Sequence, residues 1–148
     1  MVKTLCATKN YLGIAILRLF IGVMFMSHGS QKLFGAFGGG GIQEFAKALE
    51  SMQVPYPLLS AYLAGCSEFF GGLALVIGFL VRPATIPLLA VMGVAICKVH
   101  WSAGFFLQGG GFEYPFVISG GLLALLIHGA GALSIDGLLA GKKIGAGP

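Results

Sequence analysis

Four apolar stretches constrain the fold of this 148-residue chain more than any other feature. They cover residues 11–34, 58–80, 84–101 and 115–133. Each has the length at which an α-helix begins to cross about 30 Å of hydrocarbon. Charged residues make up 9% of the chain and hydrophobic residues 57%, whereas soluble domains contain about 25% charged residues. The sequence therefore predicts an all-α integral membrane protein, a four-helix bundle in which residues 1–148 form a single domain.

The basic residues at the ends of these stretches predict the orientation in the membrane. With four spans, both termini lie on one side, together with Lys3, Lys9, Arg82, Lys142 and Lys143. The opposite loops carry Lys47 among three glutamates. Because basic residues accumulate on the cytoplasmic side of a membrane, both termini are predicted to be cytoplasmic. The first stretch is too long for the apolar region of a signal peptide, so we expect it to remain as a span.

A short amphipathic helix is predicted in the first outer connection, over residues 42–52. Four glycines precede it and Pro55 and Pro57 follow it, so both of its ends are marked by residues that interrupt helices. Apolar and polar residues alternate with helical spacing, which predicts a helix lying on the outer membrane surface. The apolar face is formed by Ile42, Phe45, Ala46, Leu49 and Met52, and the polar face by Gln43, Glu44, Lys47 and Glu50.

Small residues spaced three and four apart predict the faces on which the spans pack, because close helix packing in lipid requires small side chains. The predicted contact residues include Gly22 and Gly29 in the first span, and Gly65 and Gly72 in the second. Those in the third and fourth spans are Ala90, Gly93, Cys97 and His100, and Gly121, Ala124, His128 and Gly131. Intramembrane polar groups lie on the same faces and are therefore expected to point into the bundle.

Arg18 and Glu68 are the most costly of these polar groups, since an unpaired charge at that depth costs several kcal/mol. Counting from the midpoints of the first and second spans places them about 8 Å apart along the bundle axis. We therefore predict an ion pair between them, which would hold the two helices in register. The functional alternative makes Glu68 a proton acceptor whose ionisation Arg18 tunes.

Several polar side chains are predicted to gather near the outer face. They are His28, Gln31, Lys32, Lys98, His100, Trp101, Glu113 and Tyr114. Hydrogen-bond donors beside an apolar slot are what a quinone headgroup requires, so these residues are candidate ligand-binding residues. His28 is a second candidate for proton transfer, beside Glu68. Interfacial lysine and tryptophan also serve as plain membrane anchors, and that alternative stays open.

Histidines at matched depth raise the question of a cofactor. His28 and His100 on different helices could ligate haem b, or bind a metal ion with Glu113 as third ligand. The sequence lacks any tight ligand spacing such as HExxH, so a hydrogen-bonded histidine is the commoner outcome. Cys6, Cys66 and Cys97 contain no CxxC pair, which argues against a disulfide-relay enzyme. No basic tract suggests a nucleic-acid partner.

Five segments carry a resemblance to a known family. They are "LRLFIGVMFMSHGSQKLFGAFGG", "LAGCSEFFGGLALVIGFLVRPAT", "VHWSAGFF", "FEYP" and "GAGALSIDG". In this order and spacing, from about Leu17 to Asp136, the chain resembles the DoxX family of small membrane proteins. The resemblance implies a four-helix protein of the bacterial or archaeal cytoplasmic membrane. Family members are similar to subunits of thiosulfate:quinone oxidoreductase, which implies electron delivery to the quinone pool with partner proteins. The family has no generally agreed catalytic residues.

Two functional hypotheses follow, from different classes. In the first, the chain is a quinone-linked accessory subunit of a membrane redox complex; because no cofactor is evident in the chain, a protein partner supplies the electrons. In the second, it is a non-enzymatic membrane scaffold or a protein that binds lipid or another small molecule. Whether the chain is itself an enzyme is left open. A transporter would require assembly into a homo-oligomer, because one four-span chain shows no inverted repeat.

Overall fold

The computed structural model describes residues 11–140. Lys3, Lys9, Lys142 and Lys143, which contributed to the predicted orientation, lie outside this range, as does Cys6. Among the described residues all regular structure is helical and no strand occurs, as the apolar patterning predicts.

Within residues 11–140, six α-helices follow one another. They are α1 (Tyr11–Phe34), α2 (Gly41–Ser51), α3 (Pro57–Ile77), α4 (Val81–Val94), α5 (Glu113–His128) and α6 (Ile135–Leu139). A turn of π-helix over Ala95–His100 extends α4, and 3-10 turns occupy Ala36–Gly38, Trp101–Ala103 and Leu107–Gly109. The bounds of α1 are those expected for the first span, and α2 lies one residue from its predicted position.

The boundary between α3 and α4 differs from the prediction because of local capping. Gly78 adopts a φ of 71°, a left-handed conformation that ends α3 at Ile77 and is favourable for glycine. The next helix begins at Val81. Pro83 falls in its first turn, where the missing backbone N–H breaks no helical hydrogen bond.

Among the residues that the structure describes, three helical segments are long and apolar enough to cross a membrane, judged by length and composition. They are Leu12–Phe34, Pro57–Ile77 and Val81–Ala103. The fourth apolar helix, α5, is shorter, with 16 residues. It ends at His128, where Gly129 has a φ of 79°, whereas the predicted span extends to residue 133.

Side chains from α1, α3, α4 and α5 share one apolar core. Its buried members include Ile21, Phe25, Leu75, Val81, Leu88, Met92, Leu122 and Leu125. A smaller cluster joins α2 to α3 through Ala46, Leu49 and Ala61. Part of the apolar face of α2, predicted to meet lipid, therefore packs against protein.

Glycines allow α1 and α3 to pack with their backbones in close contact. A Cβ atom on Gly22 would lie 2.8 Å from the carbonyl oxygen of Gly72, and one on Gly29 would collide with the backbone of Phe69. Both contacts confirm the small-residue faces predicted for the first two spans.

The packing face predicted for the third span is wrong. Gly93 has open space where its side chain would be, and Ala90 and Cys97 are exposed. The buried face of α4 is instead formed by Val81, Thr85, Leu88 and Met92. These side chains are larger than glycine or alanine, so α4 does not pack through a face of small residues as α1 and α3 do. On α5, Gly121 does face Ile21 as predicted, whereas His128 is exposed.

Candidate functional site

Arg18 lies on α1 and is 3% exposed. Its guanidinium donates hydrogen bonds to the carbonyl oxygens of Leu75 and of Val76, the latter at 2.8 Å, near the C-terminus of α3. It also donates to the carbonyl oxygens of Leu133 at 2.9 Å and Ala132 at 3.4 Å. The last carbonyls of a helix lack helical partners and carry partial negative charge. Arg18 therefore caps α3 and attaches the C-terminal segment to it.

Asp136 and Ser134 complete this connection. The Asp136 carboxylate accepts hydrogen bonds from the backbone N–H groups of Leu80 at 2.8 Å and Val81 at 3.0 Å, where α4 begins. The hydroxyl of Ser134 accepts from the N–H of Gly137 at 3.1 Å and caps α6. Arg18, Ser134 and Asp136 lie in segments that carry the family resemblance. All three make structural contacts where α3 ends and α4 begins.

The predicted ion pair between Arg18 and Glu68 is wrong. In the described part of the chain Glu68 pairs with Lys32, while Arg18 bonds to carbonyl oxygens. The cause is the register of the antiparallel helices α1 and α3: Gly22 faces Gly72 and Val76. Arg18 consequently lies beyond Gly72, near the end of α3, and not beside Glu68. The same register removes the proposed tuning of Glu68 by Arg18.

Lys32 and Glu68 form the buried ion pair of the site. The Glu68 side chain is 2% exposed and the Lys32 side chain 24%. The ammonium nitrogen of Lys32 contacts Glu68 Oε1 and lies 4.8 Å from the centroid of the Phe45 ring on α2, a distance suited to a cation–π interaction. Glu68 Oε2 is buried without a hydrogen-bond partner among the described residues. Three helices thus meet at one ammonium group.

A cavity of about 320 Å³ adjoins this pair, between α2, α3 and α4. Its volume falls in the range of small-molecule sites, roughly 300 to 1,000 Å³. Lys32 is the one charged side chain among the described residues that line it. The walls are mainly apolar and include Phe45, Leu49, Met52, Leu63, Ala64, Val91, Val94, Ala95 and Val99. Ser60 and Ser67 add two hydroxyl groups.

Of the ligand-binding candidates named from the sequence, Lys32 alone lines this cavity. His28 is exposed on α1, Gln31 is partly buried, and Lys98 is exposed on the π turn. The other seven of the eight candidates therefore lie outside the cavity wall. His28, a candidate for proton transfer, does not border the cavity.

Three further candidates shape the loop before α5. His100 Nδ1 lies 2.6 Å from the carbonyl oxygen of Gly110, and the Glu113 carboxylate accepts a hydrogen bond from the N–H of Leu107 at 2.9 Å. Trp101 stacks on Phe112 with ring centroids 5.5 Å apart. These side chains hold the loop, and Tyr114 beside them is 42% exposed.

No group of three or more His, Cys, Asp or Glu side chains converges within residues 11–140 to hold a metal ion. His28, His100 and Glu113, the set considered as an alternative metal site, therefore do not form such a group. His28 lies on α1, which packs mainly on α3, whereas the other two side chains have their partners in the loop. Haem ligation by His28 and His100 stays a prediction.

Comparisons with known proteins agree with the helical architecture. The DoxX family model matches residues 13–101. An inner membrane protein of Escherichia coli K12, YqjF, is 33% identical over 130 residues, which cover 86% of this chain and 92% of that protein. An uncharacterized protein of Haemophilus influenzae is 29% identical over 133 residues, covering 87% of this chain and 83% of its own length. No solved structure gives a significant match.

Proposed function

The chain belongs to the DoxX family and is a multi-pass protein of the bacterial inner membrane, and from this premise we propose that it binds a membrane quinone. In this proposal the chain is an accessory subunit of a redox complex, and the quinone headgroup occupies the cavity beside Lys32. The observation that carries the proposal is an apolar cavity with one partly buried ammonium group in its wall, whose charge the buried Glu68 carboxylate balances.

The charge of the site favours a neutral ligand with a hydrogen-bond acceptor. An ammonium group has three donors, and one of those of Lys32 is directed at Glu68. The remaining donors are available to a carbonyl oxygen. Because Glu68 already balances the charge of Lys32, an anionic ligand would leave a buried negative charge uncompensated. A quinone carbonyl has no charge and avoids this cost.

The protein environment also suits the proton transfer that accompanies quinone reduction. Reduction to the quinol consumes two electrons and two protons. We assign the electrons to a protein partner. Lys32 is placed to give one of the two protons to a reduced quinone oxygen. Water supplies the second proton and the one that restores Lys32, and Glu68, in contact with Lys32, is placed to relay the latter. This gives Glu68 the proton-handling role predicted from the sequence, with Lys32 in place of Arg18 as its partner.

Extraction of the gently purified protein tests this proposal. We expect mass spectrometry of the organic extract to detect about one quinone per chain. The variant that carries Lys32→Met with Glu68→Leu should retain at least about tenfold less, equivalent to about 1.4 kcal/mol. Lys47→Met, on the exposed face of α2, is the matched control and should retain the quinone.

Phospholipid alone in the extract of the wild-type protein would contradict quinone binding and favour the second class of function, a protein that binds lipid or serves as a scaffold. Equal quinone retention by the double variant would show that the quinone is held elsewhere. Circular dichroism of each variant establishes that the helices are intact, so that loss of ligand is not loss of fold.

We also propose that α5 makes a fourth membrane crossing and that both termini are cytoplasmic. The packing of α5 on α1 and α4 supports this placement, as does Arg82, an expected cytoplasmic residue, which donates a hydrogen bond to the carbonyl oxygen of Ile127 at the end of α5. The C-terminal end of α5 would then lie at the cytoplasmic surface beside Arg82, and its N-terminal end at the outer surface.

Cysteine labelling distinguishes four crossings from three. In a background without Cys6, Cys66 and Cys97, Gln43→Cys is expected to react with an impermeant thiol reagent added to intact cells, whereas Ala140→Cys is not. Reaction at both positions would mean that α5 does not cross. The reverse pattern, with Ala140→Cys alone accessible, would overturn the orientation.

A further inference from the structure

We infer that the segment from Trp101 to Phe112, here called the aromatic loop, lies at the boundary between lipid headgroups and hydrocarbon and is covered by lipid. The inference requires the membrane placement of α4 and α5 and is independent of quinone binding. It assigns this surface a partner, the lipid bilayer, and gives the loop a depth in the membrane.

The first observation is the surface chemistry of the aromatic loop. It contains no charged residue, and its large apolar side chains point outward: Trp101 is 65% exposed and Phe106 70%, and Phe105 and Leu107 are exposed as well. The loop directly continues the segment Val81–Ala103, which is apolar enough to span a membrane. An apolar patch continuous with a membrane-spanning surface is covered by the same lipid.

The second observation is the hydrogen bonding of the loop backbone. Irregular backbone survives at membrane depth only where its polar groups have partners, because each unpaired group costs several kcal/mol in hydrocarbon. The loop supplies several of those partners itself. The backbone N–H groups of Gly104, Gly109, Gly110, Gly111 and Phe112 donate to carbonyl oxygens of Trp101, Phe106, Leu107, Phe106 and Gly104, over distances of 2.8 to 3.2 Å.

Side chains pair two further backbone groups of the loop. The N–H of Leu107 donates to the Glu113 carboxylate, and the imidazole of His100 bonds to the carbonyl oxygen of Gly110. A loop in water has less need for these internal bonds, since water satisfies exposed backbone groups. At the boundary of the hydrocarbon these bonds stabilise the loop, because water is less available there to pair its backbone groups.

The third observation is the length of α5. Its 16 residues rise about 24 Å, which is less than the roughly 30 Å of a bilayer core. The aromatic loop precedes α5 directly and is attached to it by the contact of Phe105 with Phe116 and by the hydrogen bond from the N–H of Glu113 to the carbonyl oxygen of Phe105 at 2.8 Å. The loop therefore occupies the depth that α5 leaves uncovered. Tryptophan and other aromatic rings are favourable at that level of the membrane.

Trp101 is the one tryptophan of the chain, so its fluorescence reports the position of the loop without labelling. We expect its emission, in vesicles of phosphatidylcholine, to be blue-shifted from that of free tryptophan. Phosphatidylcholine brominated near the headgroup end of the acyl chains should quench it more strongly than phosphatidylcholine brominated near the chain ends. Acrylamide in the water should quench it weakly.

A matched control moves the tryptophan to a surface assigned to water. The variant with Trp101→Phe and Gln43→Trp has its probe on the exposed polar face of α2. Acrylamide should quench this probe severalfold more strongly than Trp101. Equal acrylamide quenching of the two probes, with no quenching of Trp101 by brominated lipid, would overturn the inference.

A charge in the loop gives an independent test. Since Phe106 is largely exposed and its ring packs on Phe105 of the same loop, Phe106→Glu breaks little packing in a loop that faces water and would leave the emission of Trp101 unchanged. At the membrane boundary the carboxylate pulls the loop outward, so the emission should shift to longer wavelength and quenching by brominated lipid should fall. Phe106→Leu should preserve both signals. Unchanged signals in Phe106→Glu would contradict lipid coverage of the loop.

Discussion

Substitution of Arg18 by methionine is expected to lower the free energy of unfolding by about 3 kcal/mol or more. The guanidinium donates to carbonyl oxygens of α3 and of the segment before α6. Because the Arg18 side chain is buried, methionine there leaves these oxygens without their donor, and a buried acceptor left without a partner costs about 1 to 3 kcal/mol. Methionine preserves much of the apolar length of the side chain, so the loss reports the hydrogen bonds.

Arg82→Met is the matched control for this prediction. Arg82 is exposed and donates to the carbonyl oxygen of Ile127 at 3.0 Å, so its loss is expected to cost about 1 kcal/mol or less. Denaturant unfolding in mild detergent, followed by helical circular dichroism, measures both variants. Equal losses for Arg18→Met and Arg82→Met would show that Arg18 is not the cap that the structure describes.

The second large effect is expected for Lys32→Met. The substitution leaves the Glu68 carboxylate buried without its counterion, and breaking a buried ion pair from one side costs about 3 to 5 kcal/mol. Glu68→Leu should cost less, because Lys32 is partly exposed and its long side chain can turn its ammonium group toward water. The two single substitutions are thus expected to differ, although they remove the same contact.

The double variant of Lys32→Met with Glu68→Leu tests whether the two side chains stabilise each other. Replacing both members of a buried pair with apolar residues is often neutral, so we expect the double variant to lie within about 1 kcal/mol of the wild-type protein. Additive losses from the two single variants would mean that Lys32 and Glu68 do not interact. Arg18→Met combined with Glu68→Leu should show such additivity, because these side chains have separate partners.

Several parts of the fold could be predicted because they depend on local sequence. The bounds of α1 follow from one uninterrupted apolar run, and α2 follows from helical spacing between glycines and prolines. The close contact of α1 with α3 follows from glycines spaced for helix packing. The shortened α5 was not predicted, because its apolar composition continues past the turn at Gly129 where the helix ends.

The candidate site was predicted less completely. Lys32 and Glu68 were both candidates, but Glu68 was paired with Arg18 because the two spans were aligned by their midpoints. The partner of Glu68 depends on the register in which Gly22 meets Gly72. The spacing of small residues along both helices is the sequence feature that indicates this register. The cavity was not predicted, because Phe45, Leu49 and Met52 form an apolar helix face whether lipid or protein covers it.

The sequence by itself determined that this protein is an all-helical membrane protein of the DoxX family, since apolar length, charge content and family motifs are properties of the chain order. Only the tertiary structure decided that Lys32 is the partner of Glu68, that Arg18 caps a helix, and that α2 closes one side of a cavity. These features join residues far apart in sequence. Their positions depend on helix register and on the angle at which α2 packs, and a shift of one helical turn would give each charge a different neighbour.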